Sequence, residues 1–197
     1  MSTAVPSTRT DWKALGRAVR ARYDDRQATS PGDRATLRRC ALPSEIVLEG
    51  SFWRLVEDVP HLLRSRLAAV ALLYPCCDAK VDAQFRFGRY LHAALVREGE
   101  RADDRRSLRF RQLIAARDEG ELAARLRRLL TFTKAPVDWG VVTDDLVRWS
   151  FGGRSRDLVL RAWAQDFYSE LPVVRDDSDA TPTGDPSTQD ASRGASA

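Results

Sequence analysis

Lysine is scarce. Only Lys13, Lys80 and Lys134 occur in 197 residues. Histidine is scarcer still, at His61 and His92, and neither has a second His, Cys or carboxylate at ligand spacing. That excludes the common metal-centre patterns. Both are read as surface or interface polar residues. The cysteines, Cys40, Cys76 and Cys77, are odd in number and lack zinc-type spacing. They read as small buried hydrophobes in a reducing compartment. The longest apolar run, Leu67 to Cys77, has 11 residues and contains Pro75, whereas a membrane span needs about 20. The segment Met1 to Pro6 lacks an apolar signal core, so a cytoplasmic protein without a membrane partner is expected.

Catalytic signatures are missing too. There is no Gly-x-Ser-x-Gly elbow, Walker loop or Gly-x-Gly-x-x-Gly turn. The glycines of Phe151-Gly152-Gly153-Arg154-Ser155 read as an interhelical turn. The acid pairs Asp24-Asp25, Asp103-Asp104 and Asp144-Asp145 are adjacent residues, which point about 100° apart on a helix and share no site unaided. No catalytic residue, metal or cofactor is expected, and the chain is not read as an enzyme.

What is abundant is arginine, 29 of the 32 basic residues. The charge is unevenly placed. Residues 173–197 hold five acids and two arginines, a balance of −3, so the +4 of the whole chain leaves +7 on residues 1–172. An arginine-rich cationic body points to a polyanionic partner. A GC-rich genome also favours arginine codons, but it does not dictate positions. Clusters stand at Arg34-x-x-x-Arg38-Arg39, Arg105-Arg106-x-x-Arg109-x-Arg111, Arg125-x-Arg127-Arg128 and Arg154-x-Arg156 with Arg161. Spacings of three and four residues put several on one side of a helix. Guanidinium forks grip phosphate in bidentate fashion. The competing use is ion pairing with the body's own acids. The spread over separate helices suggests a groove more than a single recognition helix. A helical DNA-binding transcriptional regulator is the alternative, although no compact three-helix reader is visible.

Apolar spacing is helical nearly throughout, which predicts an all-α bundle of eight or nine helices, in one body or two helical subdomains. Helices are predicted over about 11–28, 33–40 (capped by Asp33), 44–58 (capped by Ser44, interrupted near Gly50), 60–74, 83–98 and 105–117. Asp118-x-x-Glu121 reads as a capping box, Asp138 as the cap of a helix carrying Val142, Leu146 and Trp149, and Ser155 as the cap of the last helix, with Leu160, Trp163, Phe167 and Leu171 inward. Residues 1–9 read as an N-terminal extension and 10–172 as the helical domain. Residues 173–197, poor in large apolar groups, read as a disordered acidic tail.

One ordered set of motifs is more specific than any of its members. Gly32-Asp33-Arg34-Ala35-x-Leu37-Arg38-Arg39 is followed by Phe52-Trp53-Arg54-Leu55, Arg109-Phe110-Arg111-Gln112-Leu113 and Leu126-Arg127-Arg128-Leu129-Leu130. Then come Val137-Asp138-Trp139-Gly140, Asp144-Asp145-Leu146 and Arg161-Ala162-Trp163-Ala164-Gln165-Asp166-Phe167-Tyr168. Over residues 10–171 this order resembles the CasB family, the small subunit of the type I-E CRISPR effector complex, Cascade. Trp53 and Phe167 stand where tyrosine is usual, and both keep an aromatic ring. The resemblance implies a non-catalytic subunit that pairs head to tail with a second copy of itself. It implies contacts with the Cascade backbone and large subunits, the guide RNA–target DNA heteroduplex and the displaced DNA strand, with the R-loop stabilised in antiviral defence. Carried over by motif, the nucleic-acid-binding residues are Arg34, Arg38, Arg39, Arg109, Arg127, Arg128 and Arg161. Arg54 also aligns with a basic position, or braces the core or the dimer contact.

Overall fold

Local capping chemistry sets several of the helix starts. The computed structural model describes residues 10–81, 86–96, 103–134 and 136–169. The first helix, α1 (Trp12–Asp24), opens on Asp11, whose carboxylate accepts from the Lys13 and Ala14 amides at 3.0 Å. In α2 (Pro31–Arg39) the cap is Ser30, three residues before the expected Asp33, because Pro31 fits the first helical position. Asp33 sits in the first turn instead and takes the Ser30 hydroxyl at 2.8 Å.

The predicted 44–58 helix is two short ones, α3 (Pro43–Ile46) and α4 (Gly50–Leu55). Ser44 does not cap; the Glu45 carboxylate reaches back to the Ala41 amide at 2.6 Å. The predicted 60–74 helix also breaks, into α5 (His61–Arg64), a 3-10 turn over Ser65–Leu67, α6 (Ala68–Leu73) and a second 3-10 turn over Tyr74–Cys76. All six residues of α6 are buried, so this segment has no polar face and follows no amphipathic period. The remaining helices are α7 (Phe87–Val96), α8 (Asp103–Ile114), α9 (Glu119–Thr133), α10 (Trp139–Ser150) and α11 (Gly153–Ser169). Asp118 caps α9, accepting from the Glu121 amide at 2.8 Å as the sequence pattern predicts, while the Glu121 carboxylate reaches one residue past the expected cap amide and takes that of Arg117 at 2.7 Å. The last helix starts at Gly153 rather than from a Ser155 cap; Gly152 and Gly153 both have positive φ, which makes the sharp turn out of α10.

The protein is all-α. Among the described residues the only β contact is one parallel bridge between Ala79 and Val137. The most extensive helix pairs are α1 with α10 and α7 with α11. The buried side chains form one continuous cluster from Val19 to Phe167. At one end Tyr74 packs between Tyr23 (5.6 Å) and Trp139 (4.9 Å), with the Arg20 guanidinium 5.2 Å above the Trp139 ring. At the other, Phe87 meets Trp163 edge-on at 5.0 Å, and Phe110 stacks on Phe167 at 4.0 Å.

The two most specific motifs are packing devices. Val137 is buried at the bridge, and Asp138 caps α10 through the Gly140 and Val141 amides while gripping Arg17 of α1. Gly140 admits α1 so closely that a Cβ there would lie 2.7 Å from the Lys13 carbonyl oxygen. In the second motif, the Trp163 indole N–H donates to Asp145 at 2.8 Å, and Asp166 pairs with Arg86 at 3.1 Å. A Cβ on Gly88 would meet the Trp163 carbonyl oxygen at 2.6 Å.

His92 departs from its expected surface position. It is buried, with Nδ1 3.0 Å from the Phe167 carbonyl oxygen. Cys40 and Cys77 are buried free thiols, and burial pushes the Cys77 thiol up to about 12. Leu171 and the expected N-terminal extension and acidic tail lie outside the described residues.

Candidate nucleic-acid interface

The arginines divide by what their guanidinium groups touch. One class clamps backbone carbonyls, often where helical segments end and the last C=O groups lack intrahelical partners. Arg20 donates to the Tyr74 and Cys77 carbonyls at 2.7 and 2.9 Å. Arg64 donates to the Val59 carbonyl at 2.8 Å and to that of Glu57. Arg127 reaches from α9 to the Arg38 and Cys40 carbonyls at the end of α2. Arg156 reaches from α11 to the Ala116 and Arg117 carbonyls just past α8, with its cation 4.5 Å from the Trp149 ring centre. A planar fork spans two oxygens at once, which an ammonium does less well. These arginines hold the fold together.

A second class pairs with carboxylates. Arg54 holds Asp33; this and the Ser30 hydroxyl lower the Asp33 carboxyl to about 2. This use of Arg54 is the bracing alternative. Arg22 bridges Glu57 and Asp58, linking α1 to the loop after α4.

A third class faces solvent. Arg38, Arg128 and Arg161 are exposed, and their guanidinium groups make no hydrogen bond or ion pair to a described residue. Arg39 is exposed and reaches Thr36 Oγ1 at 3.2 Å.

Two concave surfaces gather cations. The first, a groove of about 560 Å³ between α7, α8 and α9, carries Arg109, Arg125 and Arg128. Its apolar floor includes Leu91, Leu95, Leu113 and Leu129. Phe132, 60% exposed, stands at its side with the Arg109 cation 5.5 Å from its ring centre. The second, a cleft of about 400 Å³, is lined by Arg26, Arg34 and Arg38 with Pro31 and Ala35. Arg34 also donates to the Asp24 carbonyl at 3.0 Å and lies 5.6 Å from the Tyr23 ring centre. No carboxylate is among the described residues lining either surface, although Arg125 is held by the Glu121 carboxylate one turn earlier in α9.

Of the seven arginines expected at a nucleic-acid path, the structure brings Arg34 and Arg38 together in the cleft, and Arg109 and Arg128 together in the groove. Arg39 follows Arg38 at the end of α2, Arg127 is turned onto α2, and Arg161 stands apart on α11. Arg26, Arg125 and Phe132 were not singled out from the sequence as site residues. A signal existed: Arg125, Arg128 and Phe132 stand at i, i+3 and i+7, one face of a helix.

The family model for CRISPR-associated protein Cse2 matches residues 33–168. The chain belongs to the Cse2 family. The match covers every motif of the CasB resemblance except Gly32 at its start. A chain in the crystal structure of E. coli Cascade bound to a PAM-containing double-stranded DNA target is 25% identical. The likeness covers 78% of this chain and 97% of that one, with a TM-score of 0.57. The crystal structure of M. ruber CasB matches over 81% of this chain and 93% of its own at a TM-score of 0.60; at 20% identity it shares the fold. A search of curated protein sequences gives no match. Among the described residues of this Cse2 chain, no three His, Cys, Asp or Glu side chains are grouped to hold a metal ion. No described helix is long and apolar enough to cross a membrane.

Proposed function

We propose that this Cse2 chain is the non-catalytic small subunit of a Cascade surveillance complex. It works as a pair of copies against the guide-bearing backbone and large subunits, and holds the R-loop open through arginine contacts to nucleic-acid phosphates. The observation that carries this reading is the pair of concave surfaces, each with three arginines among its described lining residues, of which Arg125 is held by Glu121. Such surfaces attract a phosphate backbone without reading its sequence. Phe132 beside Arg109 and Arg128 adds an aromatic face on which an unpaired base can stack. Displacing one strand of a duplex by a guide is a near-balanced exchange, so modest backbone contacts shift it.

Arg38, Arg109 and Arg128 carry the strand contacts in this reading, with Arg34, Arg39 and Arg161 extending the path. Arg127 contributes by holding α2 against α9, which fixes the cleft relative to the groove.

The test adds the purified chain to guide-loaded backbone and large subunits and follows the lifetime of the R-loop on a matched target. The native chain is expected to lengthen that lifetime and the double variant Arg109→Glu, Arg128→Glu to shorten it while still folding. A chain that neither joins the assembly nor changes the lifetime would sink the proposal.

A further inference from the structure

The cleft of Arg26, Arg34 and Arg38 is local. Its described lining comes from the turn after α1 and from α2 alone, whereas the groove is shared by three helices. We propose that the cleft is a site for the terminal phosphate of a nucleic-acid strand, a phosphomonoester dianion, in preference to a phosphate within a continuous strand. This rests on the reading of the cleft as a phosphate site.

Three observations point to this ligand. The first is uncompensated charge. Residues 24–38 hold three carboxylates, and each is engaged away from the cleft arginines. Asp24 accepts from Arg20 Nε at 2.8 Å, Asp25 accepts from the Gln27 amide at 2.8 Å, and Asp33 is held by Arg54 and the Ser30 hydroxyl. The guanidinium groups of Arg26 and Arg38 make no hydrogen bond or ion pair to a described residue.

The second is preorganisation. Arg34 is braced by the Asp24 carbonyl at 3.0 Å and by the Tyr23 ring, whose centre lies 5.6 Å from its cation. Its Nε is buried and has no partner among the described residues, so the brace uses only part of the fork. Arg38 follows one turn later on the same face of α2. Burial raises the Tyr23 hydroxyl, and the Arg20, Arg38 and Arg34 cations oppose that rise, which puts Arg34 and Arg38 beside one ring.

The third is the match of charge and oxygens. A phosphate within a strand carries a single charge. A terminal phosphate carries about −1.5 to −2 at pH 7 and presents three acceptor oxygens. Three guanidinium forks in one small recess suit the terminal group better, since each fork can take an oxygen of its own. Such a site distinguishes a broken strand from an intact one without reading a base.

The experiment titrates the full chain at low salt with oligodeoxythymidines of about ten nucleotides that differ only at their ends: a 5′-phosphate, a 3′-phosphate, or hydroxyls at both. Anisotropy of a label inside the strand reads affinity. A terminal phosphate is expected to tighten binding about three- to tenfold. The double variant Arg26→Gln, Arg38→Gln is expected to melt as the native chain does and to bind all three oligonucleotides alike. Arg128→Gln, in the groove, is expected to weaken all three and keep the preference. Inorganic phosphate should compete for the cleft only at about millimolar concentration, because it lacks the strand's further contacts. Equal affinity of the native chain for the three oligonucleotides would overturn the strand end and leave the cleft a backbone site. A preference that survives in the Arg26→Gln, Arg38→Gln variant would overturn its placement in the cleft. Competition by micromolar phosphate would make the free anion the ligand and overturn the strand end. Binding to none of the three would sink the phosphate reading itself.

Discussion

Asp138 and Arg17 form a two-point lock between α10 and α1. The fully buried carboxylate accepts from Arg17 Nη2 at 2.7 Å and Nε at 3.1 Å, and the same carboxylate caps its own helix through the Gly140 amide at 2.9 Å. Burial alone would push this carboxyl up, but the Arg17 fork and the two cap amides hold it below the ordinary range. Arg17→Met leaves the carboxylate buried without its cation and is expected to cost about 1–3 kcal/mol, with Arg17→Lys in between because the fork is lost. Urea denaturation at pH 7 measures it. The native contribution is complete above the unfolded aspartate value, about 4, and fades as the pH falls through the lowered folded value, so the gap between native and Arg17→Met chains should close in acid.

Asp145 runs the other way. Burial raises its carboxyl to about 6, with the neighbouring Asp144 adding to the rise and the Trp163 indole N–H opposing it. The folded chain then holds a proton that the unfolded chain has released. Stability is expected to fall as pH climbs from about 4 to about 6 and to level off above. Asp145→Asn keeps an acceptor for Trp163 and removes the charge. It should gain about 1–2 kcal/mol at pH 7 and nothing at pH 4, read from denaturation midpoints at the two values.

Two glycines set how closely α1 and α10 approach, while a third lies free. A Cβ on Gly16 would sit 2.1 Å from Thr143 Oγ1 and 2.8 Å from the Trp139 carbonyl oxygen, whereas one on Gly32 meets nothing nearer than 3.7 Å. Gly16→Ala must push the helices apart and should cost roughly 2–4 kcal/mol. Gly32→Ala, in the exposed first turn of α2, should stabilise by up to about 1 kcal/mol. Thermal melts of both variants decide the matter.

The neighbours Arg127 and Arg128 should separate cleanly. Arg127→Ala frees two carbonyls at the end of α2 and is expected to lower stability by about 1–3 kcal/mol. Arg128→Ala should leave the melt unchanged, weaken oligonucleotide binding across sequences, and reduce the salt slope by about one. Equal losses of stability in the two variants would contradict the assignment.

Much of this was legible in the sequence, and the exceptions share a cause. Asp118 and Asp138 announce their helices because a cap is a local event within three residues. Ser30 takes the place of Asp33 as cap because Pro31 suits a first helical turn, a local preference that the sequence also carries. The break within 60–74 was hidden, since a wholly apolar run carries no period. The arginines show the limit most clearly. Arg20, Arg127 and Arg156 meet carbonyls 40 or more residues away, so spacing could group them without distinguishing a brace from a free cation. His92 is similar: its acceptor, the Phe167 carbonyl, lies on another helix.

The α1–α10 crossing also bears on where the cooperative unit begins. Helix α1 precedes the region shared with the family model, which opens at residue 33. Yet it is bolted to α10 by a buried carboxylate and by two backbones that leave no room for a methyl group. Homology and mechanical integrity therefore have different borders. A fragment trimmed to the shared residues would strip Asp138 of its counterion and bare one side of the Tyr74–Trp139 stack. In this chain the first helix is the fastening, although the family signature passes it by.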